Sequence, residues 1–177
     1  MISRSLFTES KKLRIFDFDD TLVRTNSYIY VTHANGKTTK MSPGEYAVYK
    51  PRKGDEFDYS DFQRVQDPTE IRSITKILRR MIKASGDRDV YILTARAAMK
   101  PIAKYLKEIG IRDVKIVALA DSNPKKKADW IEKKVREEDF TDVYFIDDSE
   151  KNIRAVDRKL HKMDVNYRVS LMKPHYE

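Results

Sequence analysis

The sequence predicts an α/β fold in which a parallel β-sheet is covered by helices on both faces. The main observation is the second half of the chain, where short apolar runs alternate with longer segments whose apolar residues recur at helical spacing. Such alternation indicates consecutive β-α-β units, whose strands lie parallel. A second observation is the composition, with 40% hydrophobic and 36% charged residues, which provides a core beneath a highly charged surface.

The first predicted strand, residues 13–18, ends in three closely spaced carboxylates. Its β-branched and aromatic residues suit a packed surface, whereas Asp17, Asp19 and Asp20 place three negative charges within four positions. Such charges repel one another, and acidic side chains are seldom buried without a partner. An isolated Asp-Asp pair usually indicates a turn, but these acids follow a core strand, at the sheet edge where open α/β proteins bind ligands. A divalent cation would relieve the repulsion by taking carboxylate oxygens as ligands.

A β-hairpin is predicted directly after the acidic strand end, at about residues 24–41. Runs rich in aromatic and β-branched residues flank Asn35-Gly36, a pair that is typical of a hairpin turn. In this position the hairpin forms a flap over whatever the aspartates bind. Residues 42–67 are interpreted as a small insertion, too short for an independent domain, that begins with a capped helix of about two turns. Three aromatic residues are expected to attach the insertion to the main body: Phe57, Tyr59 and Phe62.

The remaining elements alternate between helix and strand. Helices are predicted at residues 68–84, 97–109, 124–137 and 150–161, and strands at residues 90–93, 114–119, 143–146 and 167–171. Gly110 closes the second of these helices, and Asn123 with Pro124 begins the third. We predict a single domain over residues 1–177.

The composition excludes several classes of site. The chain has no cysteine, which removes disulfides, thiolate metal sites and cysteine nucleophiles, and which suits the reducing cytoplasm where we expect the protein. No apolar segment approaches the roughly 20 residues of a membrane span, so we expect no membrane partner. Residues 1–12 are polar and mixed in charge, which indicates a lead-in to the first strand and is not typical of a signal peptide.

The net charge of +8 favours an anionic partner. Long-range attraction would draw nucleic acid or phosphorylated small molecules to such a surface. Many basic proteins bind no nucleic acid, so the charge alone leaves both partners open. The sequence does not indicate an oligomeric state.

Further polar side chains stand at the ends of two later strands and at the start of one helix. They are Thr94 and Arg96 after the strand at residues 90–93, Asp147 and Asp148 after the strand at residues 143–146, and Lys125, Lys126 and Lys127 in the helix at residues 124–137. Because parallel strands end at the same edge of a sheet, we expect these groups to lie beside Asp17 and Asp19.

Each of these groups also has a simpler explanation. Thr94 could cap the next helix, and Asp147 and Asp148 could cap a helix and interact with its dipole. Lysines at the start of a helix interact unfavourably with its dipole, so their presence needs a reason. The simpler explanation is that at least two of the three are surface charges in contact with water. Arg96 could equally reach a substrate phosphate or form a salt bridge with an acid. The combination of acids from two strands, a hydroxyl and a cation favours one common site.

Together these residues resemble the four motifs of the haloacid dehalogenase (HAD) superfamily of phosphatases. Motif I, DxDx[TV][LV], resembles residues 17–23. Motif II resembles Thr94, motif III a lysine of the helix at residues 124–137, and motif IV, DDxxxN, resembles Asp147, Asp148 and Asn152. Among the lysines we favour Lys127, which directly precedes Ala128, over Lys125 and Lys126. The resemblance covers residues 13 to about 155, which is most of the chain.

The resemblance implies a three-layer Rossmann-like (HAD-like) fold with a β-hairpin flap and a small cap insertion. It also implies Mg²⁺-dependent hydrolysis of a phosphoester, with Asp17 as nucleophile and Asp19 as the acid that protonates the leaving alcohol and then activates water. The implied metal ligands are the Asp17 carboxylate, the Asp19 main-chain carbonyl and Asp148, with Asp147 holding a water of the metal. Because the dehalogenases lack an acid at the second position of motif I, Asp19 favours phosphoester hydrolysis.

The resemblance also implies how the phosphoryl group is bound. Thr94 and Lys127 would hold the transferring oxygens, helped by the backbone N–H groups of Phe18 and Ala95. Arg96 is assigned to the substrate phosphate or leaving group, with the salt bridge to an acid as the alternative.

The short insertion predicts a site that is largely uncovered. Members of the superfamily with such minimal caps accept larger substrates. Polynucleotide 3′-phosphatases resemble this chain in motif order and in a Thr/Ser-x-Arg motif II, so a nucleic-acid 3′-phosphate end or a nucleotide is the leading hypothesis. No phosphate-binding P-loop is visible, which argues against a fused kinase. The alternatives are a small-molecule (sugar-phosphate or 5′-nucleotide) phosphatase and a catalytically silent binding module. A receiver domain is disfavoured, because Thr94 stands where its acceptor aspartate belongs.

Overall fold

A five-stranded parallel sheet lies at the centre of the computed structural model, which describes residues 10–173. In chain order the strands are β1 (Lys12–Phe16), β2 (Val23–Arg24), β3 (Ile29–Thr32), β4 (Thr38–Met41), β5 (Glu56–Asp58), β6 (Thr69–Glu70), β7 (Arg88–Thr94), β8 (Lys115–Ala118), β9 (Asp142–Asp147) and β10 (Asn166–Leu171). The helices are α1 (Pro43–Val48), α2 (Arg72–Lys83), α3 (Lys100–Glu108), α4 (Pro124–Glu138) and α5 (Glu150–His161). One 3₁₀ turn covers Ser60–Gln63.

The central sheet has the strand order β10-β9-β1-β7-β8, and every neighbouring pair is parallel. In this register Phe16 of β1 lies beside Ile92 of β7 and beside Ile146 of β9. The residues that follow these three positions therefore emerge side by side at one edge of the sheet. This edge is where ligands bind in open α/β sheets.

The helices cover the sheet on its two faces because side chains alternate along each strand. On one face, Phe16 and Ile92 pack against α2 and α3. On the other face, Ile15 and Phe145 pack against α4 and α5. The α/β fold with a parallel sheet between helices is thus confirmed, and it is compatible with a Rossmann-like arrangement.

Residues 17–22, between β1 and β2, form the acidic loop. A second, antiparallel sheet of three strands follows it, in the order β4-β3-β5. Strands β3 and β4 form the predicted hairpin with Asn35-Gly36 in the connecting loop, and Gly36 has a φ of +81° that suits glycine. Strand β5 was not predicted, and it joins the insertion to the hairpin. Phe57 consequently packs against the hairpin core around Val31, whereas we expected it to contact the main body. Phe62 packs there as well, and its ring also lies 5.1 Å from the guanidinium carbon of Arg96 in the main body, as expected.

The predicted helix at residues 68–84 begins later than expected, at Arg72. Thr69 and Glu70 form β6, which pairs with β2, and the amide of Ile71 donates to the carbonyl of Leu22 at 2.9 Å. The insertion therefore returns to the acidic loop before α2 begins. The other helices and strands of the second half lie within three residues of their predicted bounds.

No helix of residues 10–173 is long and apolar enough to cross a membrane. The predicted lead-in at residues 1–12 lies mostly outside the described residues, which begin at residue 10.

Candidate functional site

Three aspartates and one lysine meet at the carboxyl edge of the central sheet. Asp17 follows β1 and Asp147 ends β9, and the register of these neighbouring strands brings them side by side on the face covered by α4. Nζ of Lys127, in the first turn of α4, lies 2.6 Å from Oδ1 of Asp17 and 2.7 Å from Oδ2 of Asp147. Carboxylate oxygens of Asp17, Asp147 and Asp148 lie within 4.8 Å of one another.

The position of Lys127 follows from the helical phase of α4. Lys127 is buried together with Ala128 and Ile131, while Lys125 and Lys126 are exposed. Asn123 caps the helix by accepting from the amide of Lys125 at 3.0 Å, which fixes where the first turn begins. Of the three candidate lysines, Lys127 is thus the one that contacts the aspartates.

Burial and mutual repulsion make this cluster costly to keep fully ionised. Burial and the charge of Asp147 raise the pKa of Asp17 to about 6, against the lowering effect of Lys127. Burial and the charges of Asp17 and Asp147 also raise the pKa of Asp148 well above its usual range. Burial opposes the ammonium of Lys127, yet the adjacent carboxylates of Asp17 and Asp147 raise its pKa above the ordinary value. One ammonium therefore does not neutralise the cluster, which retains an excess of negative charge.

The cluster fits a divalent cation that prefers oxygen ligands. It offers three carboxylates in a small volume, with no sulfur or imidazole among them. Hard cations such as Mg²⁺ bind one or two carboxylates and complete their shell with other oxygens. The excess negative charge supplies the electrostatic reason for binding, and Asp17, Asp147 and Asp148 are the residues that would hold the ion.

Several hydrogen bonds fix the orientation of the aspartates. The hydroxyl of Thr21, fully buried, donates to Oδ2 of Asp17 at 2.9 Å. The amide of Ser149 donates to Oδ1 of Asp147 at 2.8 Å, and the side-chain amide of Asn152 donates to Oδ2 of the same carboxylate at 3.0 Å. Both oxygens of Asp17 and both of Asp147 thus have donors, so each carboxylate is held in one orientation.

The loop after Asp17 is a tight turn built on the carbonyl of Phe18. The amides of Thr21, Leu22 and Val23 all approach this carbonyl, at 3.3, 2.9 and 3.3 Å. Asp20 has a φ of +58°, a conformation that aspartate tolerates better than most residues. The amide of Asp20 also donates to the carbonyl of Val23 at 2.8 Å, so Asp20 contributes to the turn.

Thr94 ends β7 beside this turn and is 1% exposed. Its hydroxyl oxygen accepts a hydrogen bond from the amide of Arg96 at 3.1 Å, so its own proton stays available to a further acceptor. Ala95 is half-buried between Thr94 and Arg96, and the ring of Phe18 is fully buried against Tyr105.

Arg96 forms a salt bridge with Asp19, which was one of the two interpretations left open by the sequence. Nε donates to Oδ2 of Asp19 at 2.8 Å and Nη2 donates to Oδ1 at 2.7 Å. The guanidinium is buried, and its Nη1 donates to the carbonyls of Phe62 and Arg64 at 3.1 and 2.7 Å. Arg96 thereby connects the acidic loop with the insertion.

The insertion contacts the main body on both sides of β1. On the β7 side the contact is through Arg96. On the β9 side Nζ of Lys151, in the first turn of α5, donates to the carbonyl of Ala47 in α1 at 3.1 Å. The insertion therefore spans the sheet edge that carries the aspartates, and Asp17 is only 5% exposed. This covering is more extensive than the short insertion suggested.

Neither Thr21 nor Ser149 was predicted from the sequence to contact the aspartates, and Asn152 was named only as part of motif IV. The signal for Thr21 was its position within motif I, four residues after Asp17. Ser149 directly follows the acidic pair, and it also caps α5 by accepting from the amide of Asn152.

No protein-family model, no curated protein and no solved structure matches this chain. The resemblance to the HAD superfamily therefore stays a prediction from the motif residues.

Proposed function

We propose that the protein is a HAD-like, Mg²⁺-dependent phosphoester hydrolase that acts through an aspartyl-phosphate on Asp17. The observation that carries this proposal is the buried contact of Lys127 with Asp17 and Asp147, beside Asp148. In phosphoryl transfer the negative oxygens of the Asp17 carboxylate and of the substrate phosphate must approach each other. The ammonium of Lys127, fixed among the carboxylates at the ligand-binding edge of the sheet, would reduce their repulsion. A catalytically silent module would have no need to keep this charge arrangement buried.

In the first step an oxygen of Asp17 attacks phosphorus, and the bond from phosphorus to the leaving alcohol breaks. Thr21 and Lys127 hold the Asp17 carboxylate in one orientation for this attack. Lys127 then interacts with the phosphoryl oxygens, together with the free hydroxyl proton of Thr94 and the backbone N–H groups of Phe18 and Ala95. When Mg²⁺ is bound by the aspartates, it screens the repulsion between carboxylate and phosphate.

Asp19 serves both half-reactions as an acid and a base. Its protonated carboxyl gives a proton to the leaving alkoxide, and its carboxylate later takes a proton from water. The resulting hydroxide attacks phosphorus and breaks its bond to the Asp17 oxygen, which releases inorganic phosphate. In this scheme the hairpin of β3 and β4 is a flap and the insertion is a small cap, and the protein works in the cytoplasm.

A basic surface on α2 and α3 supports a nucleic-acid substrate with a 3′-phosphate end. Helix α2 carries five basic and no acidic residues, and α3 carries three basic residues and one acid. The exposed cations are Arg72, Lys76, Arg80, Lys83, Lys100, Lys104 and Lys107. None of them forms a salt bridge with a carboxylate of residues 10–173, whereas α4 and α5 carry several ion pairs.

The direction of α2 connects this basic surface with the site. Its first residue, Arg72, follows Ile71, whose amide donates to the carbonyl of Leu22 in the acidic loop. Helix α2 then runs away from the catalytic edge, so a phosphate backbone along it would bring one end to the aspartates. Unpaired lysines and arginines in such a row are what backbone contacts require.

A small-molecule phosphatase is the second candidate, because the insertion covers the site. Thr94 and Lys127 are almost completely buried, and the insertion contacts both Arg96 and Lys151. A nucleotide or sugar phosphate would fit beneath such a cover more readily than a polymer.

Phosphate release from a panel of substrates tests the proposal and separates the two candidates. The protein is incubated with Mg²⁺ or EDTA and with 3′-phosphorylated oligonucleotides, mononucleotides and sugar phosphates. We expect Mg²⁺-dependent release, fastest from the oligonucleotides and strongly reduced by salt. Release from mononucleotides or sugar phosphates alone, with little effect of salt, would select the small-molecule candidate. No release from any substrate would contradict the proposed function.

A further inference from the structure

Arg96 lies where three segments meet, and every N–H group of its guanidinium has an acceptor. Arginine has five such donors and cannot lose its charge in a protein. Two donors bond Asp19, two bond the carbonyls of Phe62 and Arg64, and the fifth approaches the hydroxyl of Ser27 at 3.5 Å. The side chain is 2% exposed. A buried cation with all donors occupied is fixed in one position.

Two aromatic rings lie close to the same guanidinium. Its central carbon lies 5.5 Å from the centre of the Phe18 ring and 5.1 Å from the centre of the Phe62 ring. Phe18 belongs to the acidic loop and Phe62 to the insertion. The loop and the insertion thus each contribute a ring and hydrogen-bond acceptors to one side chain.

The only carboxylate that pairs with Arg96 in the described part of the chain is that of Asp19. The carbonyls of the insertion accept hydrogen bonds but carry no full charge, so Asp19 alone neutralises the buried guanidinium. Conversely, both oxygens of Asp19 are bonded to Arg96, which fixes the plane of the carboxylate. The salt bridge with Asp19 and the hydrogen bonds to the carbonyls of the insertion therefore hold the same guanidinium, so each depends on the position that the other gives it.

We propose that Arg96 is a positioning residue that couples the docking of the insertion to the orientation of Asp19. When the insertion is docked, its two carbonyls hold the guanidinium, and the guanidinium holds Asp19 in its working orientation. When the insertion lifts, Arg96 loses these acceptors and Asp19 loses its support. Such coupling is reciprocal. Because Arg96 connects Asp19 to the insertion, removal of the Asp19 carboxylate also weakens docking of the insertion.

Hydrogen exchange of the insertion tests the coupling without any reference to activity. The reporters are the amide of Asn26, which donates to the carbonyl of Gln66 at 3.0 Å, and the amide of Tyr28, which donates to Asp61. The amides of Phe62 and Arg64 are added because they lie in the turn whose carbonyls bond Arg96. We expect Asp19→Asn and Arg96→Lys each to accelerate exchange in peptides covering residues 26–30 and 60–66 by at least about tenfold, since a buried pair is broken. Arg79→Lys is the matched control, because Arg79 also joins a carboxylate, Glu70, to a carbonyl, that of Ile109, at another place.

The Asp19→Asn result decides the proposal, because within residues 10–173 the side chain of Asp19 forms hydrogen bonds and a salt bridge with Arg96 and none with the insertion. Unchanged exchange of residues 60–66 in Asp19→Asn would overturn the coupling, even if Arg96→Lys fails to fold. Equal acceleration in Arg79→Lys would show general loosening and would also overturn it.

A kinetic measurement examines the consequence for catalysis, and this part rests on the proposed function. With p-nitrophenyl phosphate the leaving group needs little protonation, so Arg96→Lys should still form the aspartyl-phosphate but hydrolyse it slowly. We expect a burst of p-nitrophenol close to one per enzyme, and a larger loss of turnover with an alkyl phosphate than with p-nitrophenyl phosphate. Arg79→Lys should show neither change. Equal losses of turnover on both substrates in Arg96→Lys, without a burst, would contradict a positioning role. Absence of activity in the wild type would instead contradict the proposed function, and the exchange result alone would then decide the coupling.

Discussion

The ammonium of Lys127 lies 2.6 Å from Oδ1 of Asp17, and both groups are almost completely buried. Such a contact cannot be a solvated surface ion pair, because water is excluded from both partners. Its cost in desolvation is offset only by close pairing with two carboxylates. The position of this pair at the carboxyl edge of the sheet is what makes it a candidate for catalysis.

Replacement of Lys127 should show whether this lysine is catalytic or only adds positive charge at the start of α4. We expect Lys127→Met to lower kcat by about 10²–10³-fold, as the loss of one group that stabilises charge in the transition state usually does. Lys126→Met is the matched control and should retain activity, because Lys126 is exposed on the neighbouring position of the same turn. Steady-state phosphate release, with circular dichroism to verify folding, provides the measurement. Similar losses in both variants would argue against a specific role for Lys127.

Thr21 should matter through its hydroxyl and not through its size. Thr21→Val keeps the shape of the side chain but removes the donor to Asp17, so we expect kcat to fall by at least about tenfold, the cost of a misoriented nucleophile. Thr21→Ser keeps the donor and should retain most of the activity. If the valine variant were as active as the serine variant, the Thr21 hydrogen bond would have no part in orienting Asp17.

Metal binding and pH should act on stability through the aspartate cluster. The raised pKa of Asp17, about 6 against an ordinary 3.8, means that the metal-free fold binds more protons than the unfolded chain between these values. Stability contributed by this group is therefore present at low pH and is lost as the pH rises through about 6. The raised pKa of Asp148 extends the same trend to higher pH. We expect Mg²⁺ to raise the unfolding temperature more at pH 8 than at pH 6.

Asp148→Asn tests this electrostatic account by removing one of the competing charges. In EDTA at pH 8 the variant should unfold about 2–4 °C above the wild type, which corresponds to roughly 1 kcal/mol for a domain of this size. It should also lose most of the stabilisation by Mg²⁺. Differential scanning calorimetry with and without Mg²⁺ gives both quantities, and a variant less stable than the wild type in EDTA would contradict the account.

The basic surface on α2 should contribute to binding of a nucleic-acid substrate. Lys76→Gln with Arg80→Gln should reduce the slope of log affinity against log salt by about 2, one for each phosphate contact removed. Lys133→Gln with Arg154→Gln is the control, since these exposed cations already pair with Glu137 and Glu150. Binding of a fluorescent 3′-phosphorylated oligonucleotide at several salt concentrations measures both slopes. Equal slopes for the two double variants would leave α2 without a role in binding.

The regular half of the fold could be predicted because local signals agreed with the tertiary structure. Helix α5 begins after Ser149 and ends at His161, as predicted, since a capping residue, an apolar stripe and the acidic strand end all coincide there. The sequence favoured Lys127 over Lys125 and Lys126 but did not predict its burial, which follows from its position on the same face of α4 as Ile131, four residues later.

Short strands and long-range partners could not be predicted in the same way. Strands β5 and β6 have only three and two residues in a polar segment, and they exist because β3 and β2 lie beside them. The partner of Arg96 depends on Asp19, a residue 77 positions away, and the sequence offered a substrate phosphate as an equal alternative. Distances of this kind are properties of the folded chain and not of any local pattern.

Hydrolysis of p-nitrophenyl phosphate by the wild type and by Asp17→Asn tests covalent catalysis by Asp17. We expect Mg²⁺-dependent release of p-nitrophenol by the wild type and a phosphorylated enzyme after acid quenching. We expect neither in Asp17→Asn, although that variant remains folded. Release of p-nitrophenol by Asp17→Asn at the wild-type rate would contradict the account.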